Sequence, residues 1–275
     1  MGILRKGQIL ITEPIKTVLL SNILKINMIL ERNGYEFWKK REKTNEKKAC
    51  IIIYLQLCSL FFYAQSQKEL KRIANSYYET LSQYSNEVWK SGRSSVLIET
   101  GYDKTHYEIF NIFDDDITTA WVEGASNDGV GEYFFAPVKL YGFETNYSYN
   151  RKIKNQEIEL EININNGFCK SKTTYNNNNR VKKARIYVYD IPLIDAQIGT
   201  YVKDDTVPLE IGVYEINLED TMTLQTFFHK VTLKNTSKEG HIGLFLKFEI
   251  LEVYKGEKYS DTCISEFAAY ATLSN

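Results

Sequence analysis

The segment Gln156 to Asn165, QEIELEININ, alternates apolar and polar residues without a fault. Ile158, Leu160, Ile162 and Ile164 fall on one face, and Glu157, Glu159, Glu161 and Asn163 on the other. A period of two is the spacing of a strand with one face in a core and one in water. Such half-buried strands belong to antiparallel sheets, because parallel sheets are covered on both faces. Arg180 to Asp190 repeats the pattern, with Ala184, Ile186 and Val188 opposite Arg185, Tyr187 and Tyr189. Leu209 to Leu218, Thr226 to Leu233 and Ile242 to Tyr254 read as further strands. The last is apolar on both faces, which places it near the middle of a sandwich. No helical pattern separates these strands, so a parallel α/β sheet is excluded. The expected fold is all-β: an antiparallel jelly-roll β-sandwich.

Before the strands, Leu70, Ile73, Ala74, Tyr77, Leu81 and Tyr84 recur at spacings of three and four. They predict a helical lead-in over residues 67–92, ended by Gly92 and its serines, with the sandwich occupying 93–275. Further upstream, Lys39, Lys40, Arg41, Lys43, Lys47 and Lys48 precede the apolar run Ala49 to Ala64 and then Ala64-Gln65-Ser66. A basic flank, a short apolar stretch and alternate small residues form the pattern of a secretory signal peptide, here 45–66 with cleavage after Ser66. A buried core segment is the other reading. The run is too short to span a bilayer comfortably. An internal signal implies that residues 1–44 are an upstream leader or that translation starts later, at Met28 or beyond. Export would remove Cys50 and Cys58 and leave Cys169 and Cys263 in an oxidising compartment. A bridge between them would contribute about 4–5 kcal/mol on the chain-entropy model. Two buried thiols fit the sequence equally.

The net charge is −1, which gives no global field toward nucleic acid or an anionic membrane. The three histidines, His106, His229 and His241, have no metal-pair spacing, and no Gly-x-Ser-x-Gly elbow is present. Cys169 or Cys263 with His241 has no local support as a nucleophile and base. An enzyme is not expected.

Asn111 to Gly124, NIFDDDITTAWVEG, resembles the signature of discoidin-like, coagulation-factor-C-type modules. Asn127 to Tyr133 (NDGVGEY), Asn165 to Lys172 (NNGFCKSK), Tyr175 to Lys183 (YNNNNRVKK) and Tyr259 to Phe267 (YSDTCISEF) follow in order. Together they resemble the glycan-binding domain associated with bacterial NAD glycohydrolases, over about Ser94 to Thr272. The resemblance implies a galactose-binding-like fold without the catalytic domain. It also implies a structural calcium in the acidic loop, held by Asp114, Asp116, Thr119 and Glu266. Asp115 stands where related modules usually carry glycine. Without calcium the loop reads as a solvated acidic turn capped by Thr118 or Thr119. Trp121, just inside a strand, reads more readily as core than as a ligand platform.

Arg180 ends an Asn-rich turn at the start of a strand. It could lock that turn through carbonyls or donate to sugar hydroxyls. Tyr175, Asn177 and Asn179 are its natural neighbours, and Tyr102, Tyr147 and Tyr149 lie in other loops that could join them. A sugar site needs a flat aromatic and amide or charged groups, and these residues supply both. The expected function is a secreted, monomeric module that binds a glycan or glycoprotein through loops at one end of the sandwich. An adhesin that binds a host or envelope protein, an undetected glycoside-acting enzyme and a structural envelope protein are the alternatives.

Overall fold

Ile158, Leu160, Ile162 and Ile164 are all fully buried, and Glu157 and Glu159 on the opposite face are exposed. They lie in β4, Glu157–Asn166, of a computed structural model that describes residues 59–60, 63–75, 92–141, 155–196, 199–202, 207–234 and 241–273. The other strands are β1 (Trp121–Val122), β2 (Tyr133–Pro137), β3 (Lys139–Tyr141), β5 (Asn179–Ala196), β6 (Gly199–Val202), β7 (Leu209–Asn217), β8 (Gln225–Thr232), β9 (His241–Tyr254) and β10 (Thr262–Leu273). The chain divides into two compact units, 1–66 and 67–275, and all the strands lie in the second. Its fold is all-β.

Two layers follow from the pairing. In the first, β5 lies between β9 and β7, and β9 continues to β2. In the second, β10 and β8 flank β4, and β1 and β3 pair β10. The layers join where Thr262 and Cys263 of β10 pair Asn179 and Arg180 of β5. That pairing and the one between β10 and β3 are parallel, so the sheet is mixed where a purely antiparallel one was expected. Both strands at the junction enter from the same end of the molecule and therefore run the same way.

Facing side chains of the two layers make the core. Phe134 stacks on Phe248 at 4.9 Å, and Phe267 of the other layer meets Phe134 edge-on at 5.1 Å. Trp121 is fully buried against Phe134 at 5.4 Å, and its Nε1 donates to the Ser95 carbonyl at 3.0 Å. The outer face of the first layer is covered too. Phe135, Tyr189 and Phe245 are buried there in one cluster with Leu70, Ile73 and Ala74 of the lead-in, which is helical over its described residues 67–75. Tyr133 donates its hydroxyl to Glu69 at 3.1 Å.

Cys169 and Cys263 are both buried and both free, which corrects the possible bridge. Each thiol turns to a backbone carbonyl of its own segment, Cys169 to Asn166 at 3.3 Å and Cys263 to Asp261 at 3.8 Å. Burial pushes the Cys169 thiol up to about 11 and Cys263 well above its ordinary value, so both stay protonated. Of the expected signal segment 45–66, only residues 59–60 and 63–66 are described, and they are helical; the rest lies outside the described residues. Among the described residues no helix is long and apolar enough to cross a membrane.

Candidate functional site

The Asn-rich tract is not an open turn. Lys172–Asn177 forms a short helix, started by a capping box in which Ser171 and Thr174 satisfy each other's backbone amides. The helix delivers Tyr175 inward, 5% exposed, beside Arg180, 7% exposed. Arg180 bonds Asp220 through Nε at 3.0 Å and Nη2 at 2.5 Å, and its Nη1 donates to the carbonyls of Asn178 and Lys255. Its guanidinium lies 5.1 Å from the Tyr175 ring centre, and Tyr175 donates its hydroxyl to the same Asp220 carboxylate at 2.9 Å. Asn179 is 1% exposed and clamps the facing loop, donating to Ser260 O and accepting from Gly256 N. Gly167 completes the packing at φ +80°. A Cβ there would sit 2.5 Å from Arg180 Cγ and 2.7 Å from Tyr175 Cε2, so no larger residue fits.

This geometry corrects the expectation that Tyr175, Asn179 and Arg180 face a sugar. Their polar groups are bound inside the molecule, where they tie 167–178 to 255–262. Asn177 is half-buried, and its carbonyl accepts from Lys258 and Tyr259. Tyr147 and Tyr149 lie outside the described residues.

The acidic loop follows a single turn of 3-10 helix, Ile109–Phe113. Asp115 adopts φ +60°, a left-handed conformation that Asp tolerates better than most side chains, so the loop keeps a glycine-like turn without the glycine. Thr119 Oγ1 lies 2.9 Å from Asp114 Oδ2, 3.0 Å from Asp116 O and 3.2 Å from Asn111 O. Three acceptors converge on a hydroxyl with one proton to give. Glu266 closes the loop from β10. Its Oε1 is buried with no hydrogen-bond partner, and its carboxyl is pushed up to about 8, first by burial and then by Asp114. Asp116 differs from expectation: its carboxylate caps Thr118, accepting from that residue's amide and hydroxyl. No three His, Cys, Asp or Glu side chains group for a metal among the described residues. The cradle instead offers two carboxylates, a hydroxyl and carbonyl oxygens, a donor set that suits calcium.

On the segment before that 3-10 helix, Tyr102 and His106 stand exposed with their rings stacked at 4.5 Å. Tyr107 packs edge-on against both His106, at 4.5 Å, and Phe168, at 6.4 Å. This contact brings loop 98–107 to the end of the sandwich that carries the 167–178 loop. Tyr107 donates its hydroxyl to Glu99 at 2.8 Å. Asp261 lies close enough to Glu99 that the carboxylate adds to burial in raising Asp261. Tyr259, 45% exposed, comes from the same neighbouring loop. Sequence reasoning placed Tyr102 among the loop tyrosines but missed His106, Glu99 and Asp261. The Y-x-x-x-H spacing of 102 and 106 could have flagged the stacked pair.

Residues 83–270 match the family model described as NAD glycohydrolase translocation F5/8 type C domain. The chain belongs to that family. Among solved structures this F5/8 type C domain is similar to a Ruminococcus gnavus GH29 fucosidase in complex with fucose. The identity is 12% and the TM-score 0.27, over 66% of this chain and 25% of the fucosidase. It is also similar to a CBM4 structure (12% identity, TM-score 0.25, 57% of this chain, 80% of that one). A third likeness is to a CBM28 module specific for non-crystalline cellulose (8% identity, TM-score 0.22, 56% of this chain, 82% of that one). No curated protein matches. The chain thus spans a quarter of the length of the fucosidase.

Chemically, the loop end of this F5/8 type C domain offers a flat, exposed ring pair, with the Glu99 carboxylate held one ring away by Tyr107. Ring faces stack on the apolar face of a pyranose, and carboxylates accept from its hydroxyls.

Proposed function

We propose that this F5/8 type C domain is an exported, non-catalytic module that binds glycans at the loop end of the sandwich. The observation that carries the reading is the exposed Tyr102–His106 stack, on a loop that Tyr107 anchors through Glu99 and through Phe168 of the 167–178 loop, which the Arg180–Asp220 pair holds in place. A rigid platform lowers the ordering cost of binding, which is how shallow sites gain useful affinity. Family membership and the sandwich fold support a binding role. The test is a glycan array followed by calorimetry on the best ligand. Tyr102→Ala is expected to weaken binding at least tenfold, about 1.4 kcal/mol, with an unchanged unfolding midpoint. Retention of no glycan alongside retention of a host or envelope protein would make the module an adhesin. Turnover of a bound glycan would make it an enzyme.

We also propose that calcium occupies the acidic loop, with Asp114, Glu266 and Thr119 as side-chain ligands and the carbonyls of Asn111 and Asp116 beside them. The ion would offset the charge that burial and Asp114 otherwise oppose on Glu266. Calcium at a hundredfold excess over its Kd is expected to stabilise the fold by about 2.7 kcal/mol, read as a rise in Tm that EDTA reverses. Glu266→Gln is expected to abolish that rise. The pH sign is fixed as well. A carboxyl whose folded value is raised to about 8 adds stability while protonated and loses it as pH climbs from the ordinary glutamate range through 8. Calcium-free protein should therefore lose Tm between pH 6 and pH 8.5, and saturating calcium should remove the loss. An unchanged Tm with calcium at both pH values would refute the site.

A further inference from the structure

A second candidate surface lies on the outward face of β3, β10, β4 and β8, away from the loop end. Pairing register sets its rows. Lys139, Tyr270, Glu161 and Phe228 form one row, and Tyr141, Thr272, Glu159 and Lys230 form the next. The inward residues of these strands fill the core, so packing does not dictate the outward ones. Solvent-facing strand positions ordinarily carry short polar or charged residues. Here Tyr141 is 54% exposed and Phe228 58%.

The tyrosine rings stack at 5.4 Å with an interplanar angle of 26°. They form one wall of a cleft of about 200 Å³, lined by Tyr141, Glu159, Glu161, Tyr270 and Thr272. Two carboxylates two residues apart on one strand face share this cleft, and the lining holds no cation. Glu161 accepts from the Asn163 amide at 2.7 Å. Glu159 has no hydrogen-bond or ion-pair partner among the described residues. Of the neighbouring lysines, Lys230 stands opposite Glu159 in the register and feels its charge, but makes its ion pair with Glu157 at 2.9 Å; Lys139 lies 5.8 Å from the Tyr270 ring centre. Phe228 stands two strand spacings from Tyr270, about 10 Å, which offers a third ring along the same row.

We propose that this cleft binds amino-bearing sugar units, separately from the loop-end site. The tyrosine rings take the apolar face of a pyranose, and Glu159 and Glu161 take its ammonium group. Paired carboxylates favour a cation between them, and an ammonium is further attracted by the ring faces. Phe228 extends the contact to the next sugar of a chain. The exposed rings of Tyr141 and Phe228, with the half-buried Tyr270 between them, form a larger apolar patch than scattered surface residues need, which fits a recognition surface.

The experiment is calorimetry on the full chain at pH 5.5 with a hexamer of glucosamine, its N-acetylated counterpart and polylysine. The glucosamine hexamer is expected to bind at least tenfold more tightly than the acetylated one. Glu159→Gln with Glu161→Gln should remove that preference, and Tyr270→Ala should weaken glucosamine binding at least tenfold. Tyr102→Ala should leave it unchanged, which separates this site from the loop end. The variants lie on the solvent face and should keep the wild-type Tm, checked by calorimetric unfolding. Equal binding of the acetylated hexamer would overturn the role of the carboxylates. Equal binding of polylysine, or glucosamine binding that survives Tyr270→Ala, would overturn the sugar site and leave only charge attraction to the two glutamates.

Discussion

Trp121→Ala is expected to lower the unfolding free energy by about 4 kcal/mol, the middle of the range for removing a large buried aromatic. The indole is fully buried and meets Phe134 edge-on. Its removal opens a cavity beside both layers, and they cannot close over it without moving the Phe134–Phe248 stack. It also leaves the Ser95 carbonyl without its donor. That carbonyl belongs to a segment already pinned by hydrogen bonds from Ser94 and Ser95 to Glu132. Urea unfolding should show a lower midpoint with an unchanged slope. Trp121→Phe should recover much of the loss, because it restores ring volume but not the hydrogen bond. A loss below about 1 kcal/mol would mean that the indole is not part of the packed core.

Arg180→Met is the second large effect, at about 2–3 kcal/mol, below the full cost of breaking a buried ion pair because Asp220 is partly exposed. The methionine keeps the packing against Tyr175 but removes four hydrogen bonds. Asp220 also loses the guanidinium that holds its carboxyl below the usual range. Hydrogen exchange should accelerate in 167–178 and 255–262, the loops that Arg180 joins, before it does in β4 or β9. Asp220→Asn should give a smaller loss, since an amide still bonds the guanidinium. A variant as stable as wild type that fails to bind glycan would restore Arg180 as a ligand contact and remove its role as a lock.

Strand faces were the most legible part of the chain. The alternation around Ile158 to Ile164 and around Ala184 to Val188 predicted which side chains the core would take, because period two admits one solution once one face is apolar. The apolar run of β9 likewise marked a strand covered on both faces, as the core on one side and the lead-in cluster on the other make it. Partner choice was not legible. Asp220 lies forty residues from Arg180, and nothing local to either announces that they meet. Arg180 therefore read as either lock or ligand contact, with the lock only slightly favoured. The helix at Lys172–Asn177 hid inside an Asn tract that favours turns, since its capping box pairs Ser171 with Thr174 where the usual pattern has Glu or Gln. Tyr270 could have been found by following the alternation Glu266, Ala268, Tyr270, Thr272. Tyr141 could not, because β3 has three residues and too few alternations to show a face.

β10 bonds to β1, β3, β4 and β5, and every one of these precedes it in the chain. It is the keystone of the second layer and arrives after its supports. A nascent chain that ends before Thr262 can pair β4 with β8 but leaves the other edge of β4 bare, with its isoleucine row uncovered. Such contacts across long sequence separations slow folding. The domain should therefore commit to its native state only once Thr262–Leu273 is present, and until then it should remain loose enough for a chaperone to hold.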